Sequence, residues 1–201
     1  MIGKGKSISH GVAALEYDLA KEINGQAVAT EIARHELYGC TGAEMVQEMK
    51  PYHIDFPNVK NNCLRFEVSP SIEESATFTD ADWAELGNDF MQRMGLANHQ
   101  YIIIRHSGTE SKKEQAHLHI LANRVSLSGE LYRDNWIGKK ATEAANAIAK
   151  ERNFVQSQDI GKVNKAEIKE AMDGVLKKMQ GFDFTKFKEE LGKRGFKVRE
   201  A

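Results

Sequence analysis

Apolar positions along the chain switch between two spacings, and the switches mark its elements. Val12, Leu15, Leu19 and Ile23 recur at helical spacing, which predicts a helix over residues 10–22, capped by Ser7 or Ser9 and ended by Gly25. Shorter helices are expected over 27–35 and 43–50, the second stopped by Pro51, with a loop over 52–61. Residues 63–69 then alternate, with Leu64, Phe66 and Val68 on one side and Cys63, Arg65, Glu67 and Ser69 on the other. That period of two predicts a half-buried strand. Thr79 and the acidic residues after it cap a long helix bearing Trp83, Leu86, Phe90 and Met94, which Gly95 ends. Two apolar runs, 100–106 and 116–125, predict strands, and the polar linker 107–115 between them predicts a hairpin with a mobile tip. A turn-rich stretch, 126–135, leads into a helix over 141–152.

After Phe154 the texture changes to two charged amphipathic helices, 165–179 and 184–194, followed by a short apolar end at Phe196 and Val198. The expected fold class is therefore α+β, a core over residues 1–155 with a helical C-terminal extension over 156–201.

A chain of 201 residues is long enough for one such domain with a proper core. Its 41% hydrophobic content includes no run long enough for a membrane span, so no membrane role is expected. The first residues lack the apolar stretch of a secretory signal, and Cys40 and Cys63 are too few for a disulfide framework, which together predict a cytoplasmic protein. A formal net charge of −1 confines any nucleic-acid contact to local basic faces. Gly5-Lys6-Ser7 has the ending of a phosphate-binding loop, but the first glycine of that motif would fall before Met1 and no apolar strand precedes it. That reading is rejected.

The chemistry concentrates in "HLHILANR", residues 117–124. His117 and His119 share one face of a strand, roughly 7 Å apart along it. His106 ends the preceding strand on the face of Ile102 and Ile104, so a hairpin brings it beside His117. One His-x-His pair is more often an ordinary hydrogen-bonded pair. A third imidazole at the facing strand end turns the balance toward a metal site, since three neutral nitrogens with open positions suit a divalent ion that also holds a substrate oxygen. The Asp-His pair that continues the motif of metallo-hydrolases is missing here. Asn123 shares the parity of the histidines and either supports them, touches a phosphate or serves the strand end. Glu67 is either an exposed strand carboxylate or one that orients a histidine.

"YIIIRH…HLHILANRV" resembles the histidine-triad motif of conjugative relaxases, the MobA-like mobilization nucleases of the HUH superfamily, whose name describes His-hydrophobic-His. "IGKGKSISHGVAALEYDLAKE" resembles the family's tyrosine-bearing first motif, and the likeness extends from residue 1 to about 155. Tyr17 precedes the histidines, the order found in relaxases and reversed in replication initiators. The resemblance implies a central antiparallel sheet with helices packed on its faces, the histidines on central strands and the tyrosine on a helix nearby. Helical spacing alone makes Tyr17 an edge residue, about 40° from Ala13 around the helix; the resemblance makes it the nucleophile.

The implied activity is a site- and strand-specific nick at a transfer origin by transesterification, leaving a 5′-phosphotyrosine and a free 3′-OH. Tyrosine, with an unperturbed pKa of about 10, needs help to ionise. A divalent ion on His106, His117 and His119 would neutralise phosphate charge. Mg²⁺ or Mn²⁺ is expected to work there, although zinc, nickel or cobalt carried through purification would also suit imidazoles. Implied partners are single-stranded or hairpin DNA at the transfer origin, an accessory mobilization protein and a type IV coupling protein in a bacterial cytoplasm, with the enzyme a monomer. Lys4, Lys6, Arg105, Arg124 and Arg133 are expected on phosphates, Lys112 and Lys113 are candidates for base readout, and His10 for contact with DNA or the tyrosine. The alternatives are a replication-type nickase and a catalytically silent DNA-binding accessory protein of the same fold.

Overall fold

The computed structural model describes residues 1–108 and 115–199. Lys112, Lys113 and the tip expected between the two strands lie outside the described residues. The chain divides into two compact units, residues 1–156 and 157–201.

The first unit is α+β, built on one antiparallel sheet. Its strands are β1 (Ile2–Ile8), β4 (Ala29–His35), β5 (Cys63–Ser69), β6 (His99–His106) and β7 (His117–Ser126), in the spatial order β1-β5-β7-β6-β4. A separate two-stranded ribbon, β2 (Glu22–Ile23) with β3 (Gln26–Ala27), turns through Asn24 and Gly25, both at positive φ, as a tight hairpin requires. The helices are α1 (Gly11–Leu19), α2 (Gly42–Met49), the short α3 (Ile72–Ser75), α4 (Asp80–Arg93) and α5 (Ile137–Glu151), with a 3₁₀ turn at Lys50–His53.

The alternation of each strand separates two apolar layers. Phe66, Val68, Ile103, Leu118 and Ile120 pack under α4 and α5, against Trp83, Leu86, Phe90, Ala141 and Ile148. Cys63, Ile102, Ile104 and Leu121 face the other way, against Leu15 of α1 and Met45 and Met49 of α2. Thr79 and Asp82 form the reciprocal capping box expected at the start of α4.

Several expectations fail, among them the helix expected to run from residue 10 to 22 and end at Gly25, which ends at Leu19 before the β2–β3 ribbon. Residues 2–8 form an edge strand, not a lead-in to a helix, and α1 starts after His10 with no side-chain cap from Ser7 or Ser9. Residues 29–35 form the opposite edge strand, not a helix. Both strands lie at sheet edges and have little apolar alternation. In β1 the inward positions under α5 are glycines: a Cβ on Gly3 would stand 2.4 Å from the Ala141 carbonyl oxygen. The close approach of α5 requires residues without side chains, and their absence erased the strand signal.

The second unit pairs α6 (Ser157–Leu176) with α7 (Phe184–Lys193). Ala171, Val175, Phe187 and Leu191 form its core, joined by Met179, Phe196 and Val198. Among the described residues no helix is long and apolar enough to cross a membrane.

Candidate active site

The hairpin of β6 and β7 puts His106 directly opposite His117, and Ile104 opposite His119. All three histidines lie on the α1 side of the sheet, and one ligand nitrogen from each falls within 4.8 Å of the others. His106 and His117 are buried and His119 is partly so. The Nε2 atoms of His117 and His119 stand 3.1 Å apart, turned toward one another.

The outward nitrogens are anchored. His117 Nδ1 donates to the Gln115 carbonyl at 3.1 Å, and His106 Nε2 donates to the Asp18 carbonyl at 2.7 Å. That carbonyl lies in the last turn of α1, where helix geometry leaves oxygens without a backbone donor. His119 Nδ1 faces the Asp18 carboxylate at 3.8 Å and the Arg65 guanidinium at 3.4 Å. His106 and His117 thus each use one nitrogen on a backbone carbonyl and have the other for a shared ligand, the arrangement that fixes tautomer and ring orientation around metal ions, while Arg65 and Asp18 flank the outward nitrogen of His119.

Electrostatics favour the neutral ligand form. Burial, and then the neighbouring His106 and His117, push the His119 imidazole down to about 2. Burial also lowers His106, only partly opposed by its bond to the Asp18 carbonyl. Imidazoles held in the neutral form, as His106 and His119 are, fit a divalent cation.

Asp18 is the residue that sequence reading missed. It is 1% exposed and ion-paired with Arg65, whose Nε reaches one carboxylate oxygen at 3.0 Å. Burial raises its pKa against the pull of Arg65. Its carboxylate and its carbonyl contact different histidines, so the last turn of α1 clamps the triad. The signals were its place beside Tyr17 and the parity of Arg65 with Glu67 on β5.

Tyr17 is 56% exposed on the same turn, and Lys21 Nζ donates to its hydroxyl at 2.7 Å. Glu67 pairs in register with His119 but gives its carboxylate to Lys4, at 2.8 Å. Lys4, Lys6, Arg65, Glu67 and His119 share a shallow cavity of about 230 Å³ on the triad face.

Other expected residues are placed elsewhere. Arg105 is on the opposite face of β6, held by Asp80 of α4. Arg124 also points to that opposite face, with its guanidinium spent on the carbonyls of Tyr132 and Asn61 and on Asp134. Neither is available to a phosphate at the triad. Asn123 is fully buried and saturated: Oδ1 accepts from His53 and Val125, and Nδ2 donates to Met49 and Gln100. It supports the 3₁₀ turn rather than a ligand histidine. His10 begins α1, seven residues before Tyr17, whose hydroxyl is held by Lys21. Arg133 is exposed in the segment joining β7 to α5.

Residues 17–154 match the family model "Relaxase: MobA/VirD2-like, nuclease domain". No curated protein matches the chain in sequence. Among solved structures, a conjugative relaxase TrwC in complex with oriT DNA, in its metal-bound form, is 12% identical, with 99% of this chain and 83% of that chain covered at a TM-score of 0.31.

Proposed function

The chain belongs to the relaxase family of MobA/VirD2-like nuclease domains, and on that premise we propose that it is a metal-dependent strand transferase that nicks DNA at a transfer origin through Tyr17. The observation that carries the proposal is the anchored His106/His117/His119 cluster, clamped by the residue next to Tyr17. Tyr17 precedes the histidine motif, the order of relaxases rather than of replication-type nickases.

His106, His117 and His119 would hold the ion, with Asp18 and Arg65 orienting His119. A divalent ion bound there, Mg²⁺ or Mn²⁺ in this reading, supplies Lewis-acid neutralisation of the negative charge on a phosphodiester. The Tyr17 hydroxyl gives its proton to solvent, its oxygen attacks phosphorus to form the new P–O bond, and the bond to the 3′ oxygen breaks, solvent returning a proton to that leaving oxygen. That oxygen leaves as a 3′-OH, and the reverse step reseals the strand. Lys21 stands against the phenol oxygen, where its charge would stabilise an oxyanion. Lys4 and Lys6, beside His119, would hold flanking phosphates, and Glu67 would restrain Lys4. Within this reading the partners are single-stranded or hairpin transfer-origin DNA, an accessory mobilization protein and a coupling protein.

The test is nicking of a supercoiled plasmid bearing the cognate transfer origin, in Mg²⁺ or Mn²⁺. The wild type should relax it and Tyr17→Phe should not. Equal nicking by Tyr17→Phe would remove the nucleophile assignment, and His117→Ala with unchanged metal content would remove the triad.

A further inference from the structure

Trp136 occupies a position that folding alone does not explain. It precedes α5 with φ of 59°, in the left-handed region where bulky side chains are disfavoured. The indole contributes nothing to the core in return, being 81% exposed. The other tryptophan, Trp83, is 2% exposed inside the α4 layer.

Neighbouring bonds hold the strained backbone in place. The Asp134 carbonyl accepts from Ile137 N and the Trp136 carbonyl from Lys140 N, both at 3.0 Å. The Asp134 carboxylate is fixed by Arg124 at 2.7 Å, and Ile137 is buried in the core. Glycine or asparagine would satisfy this backbone with less strain. Strain that persists under such restraint points toward a use at the surface.

The surroundings indicate what that use is. Trp136 shares a cavity with Lys139, Lys140 and Glu143. Lys140 Nζ is tied to the Arg133 carbonyl at 2.7 Å and lies 5.0 Å over the Tyr132 ring, so its charge is fixed beside the indole. The exposed Arg133 is three residues away. The start of α5 abuts β1: a Cβ on Gly138 would be 3.5 Å from the Gly5 carbonyl oxygen, and Gly5 lines the same cavity as His119, Lys4 and Lys6. A bare aromatic face beside one fixed cation, Lys140, and the exposed Lys139 and Arg133 matches an unpaired nucleobase with its phosphates.

We propose that Trp136 is a stacking platform for a base of single-stranded DNA, held as the strand passes over the β1 edge. This rests on the DNA-strand reading above and adds a second contact outside the metal site.

The test uses the full chain without added metal and a fluorescein-labelled single-stranded oligonucleotide carrying the cognate transfer origin. Affinity is read by anisotropy, and tryptophan emission is read with the same oligonucleotide unlabelled. Binding should quench the exposed tryptophan emission, and the quench should vanish in Trp136→Phe. Trp136→Ala should weaken binding by about five- to a hundredfold, and Trp136→Phe should restore most of it. Trp136→Gly should melt no lower than the wild type, which separates a lost platform from a damaged fold. Tight binding with neither quenching nor loss in Trp136→Ala would overturn the platform and leave the nicking reading standing. No binding by the wild type would bring both down together.

Discussion

Asp18 is where the chemistry of the proposed site depends most on one residue. Its carboxylate faces His119 and its carbonyl accepts from His106, so removing its charge loosens one ligand while the other keeps its bond. Asp18→Asn should therefore lower divalent-metal affinity by about 10- to 100-fold, the usual effect of losing an outer carboxylate; titration calorimetry with Mn²⁺ would measure it, and unchanged affinity would contradict the clamp. His119 carries a second expectation. Its folded pKa of about 2 lies far below the ordinary value of about 6.5, so the unfolded chain takes up a proton that the fold refuses. The stability this gives is present above about pH 6.5 and is lost as pH falls below it. The metal-free protein should melt at a lower temperature at pH 5 than at pH 7, and the drop should shrink in His119→Asn. At this scale the sequence exposed the triad because strand parity and a hairpin suffice to assemble it. Asp18 stayed hidden because a helix packed across a sheet is a long-range contact that no local spacing encodes, and Asn123 stayed open between roles because parity says nothing about which end of a strand is enclosed.

At the scale of elements, the strands that the sequence made plain are β5, β6 and β7, the central ones buried by apolar residues on at least one side. The edge strands were misread because their identity comes from neighbours rather than from their own pattern. β1 is the clearer case, since its glycines exist to admit α5. Gly3→Ala would drive a methyl into the Ala141 backbone and the Ala145 side chain, and should cost about 1–3 kcal/mol as an overpacked contact does. Denaturant melts would register it. Because β1 also carries Lys4 and Lys6, the same variant should weaken oligonucleotide binding if α5 pushes the strand out of register. α4 was read correctly because its capping box and apolar stripe are both local.

At the scale of the whole molecule, every residue assigned to strand cleavage lies between Lys4 and His119, inside the first compact unit, and the family match ends at residue 154. A chain ending after Gln156 should therefore still cleave a short single-stranded origin oligonucleotide, with a rate within about a factor of a few of the full chain. Loss of cleavage in a truncated chain that still melts cooperatively would show that the helical extension takes part in the chemistry.

The central claim is that Tyr17 becomes covalently joined to DNA at the triad. Trypsin would release it in the peptide spanning residues 7–21, where it is the one tyrosine. After incubation with a transfer-origin oligonucleotide in Mg²⁺ or Mn²⁺, mass spectrometry should find a 5′-linked nucleotide on that peptide and none when His119→Ala replaces the wild type. An adduct on another tyrosine, or no adduct while the DNA is cut, would contradict it.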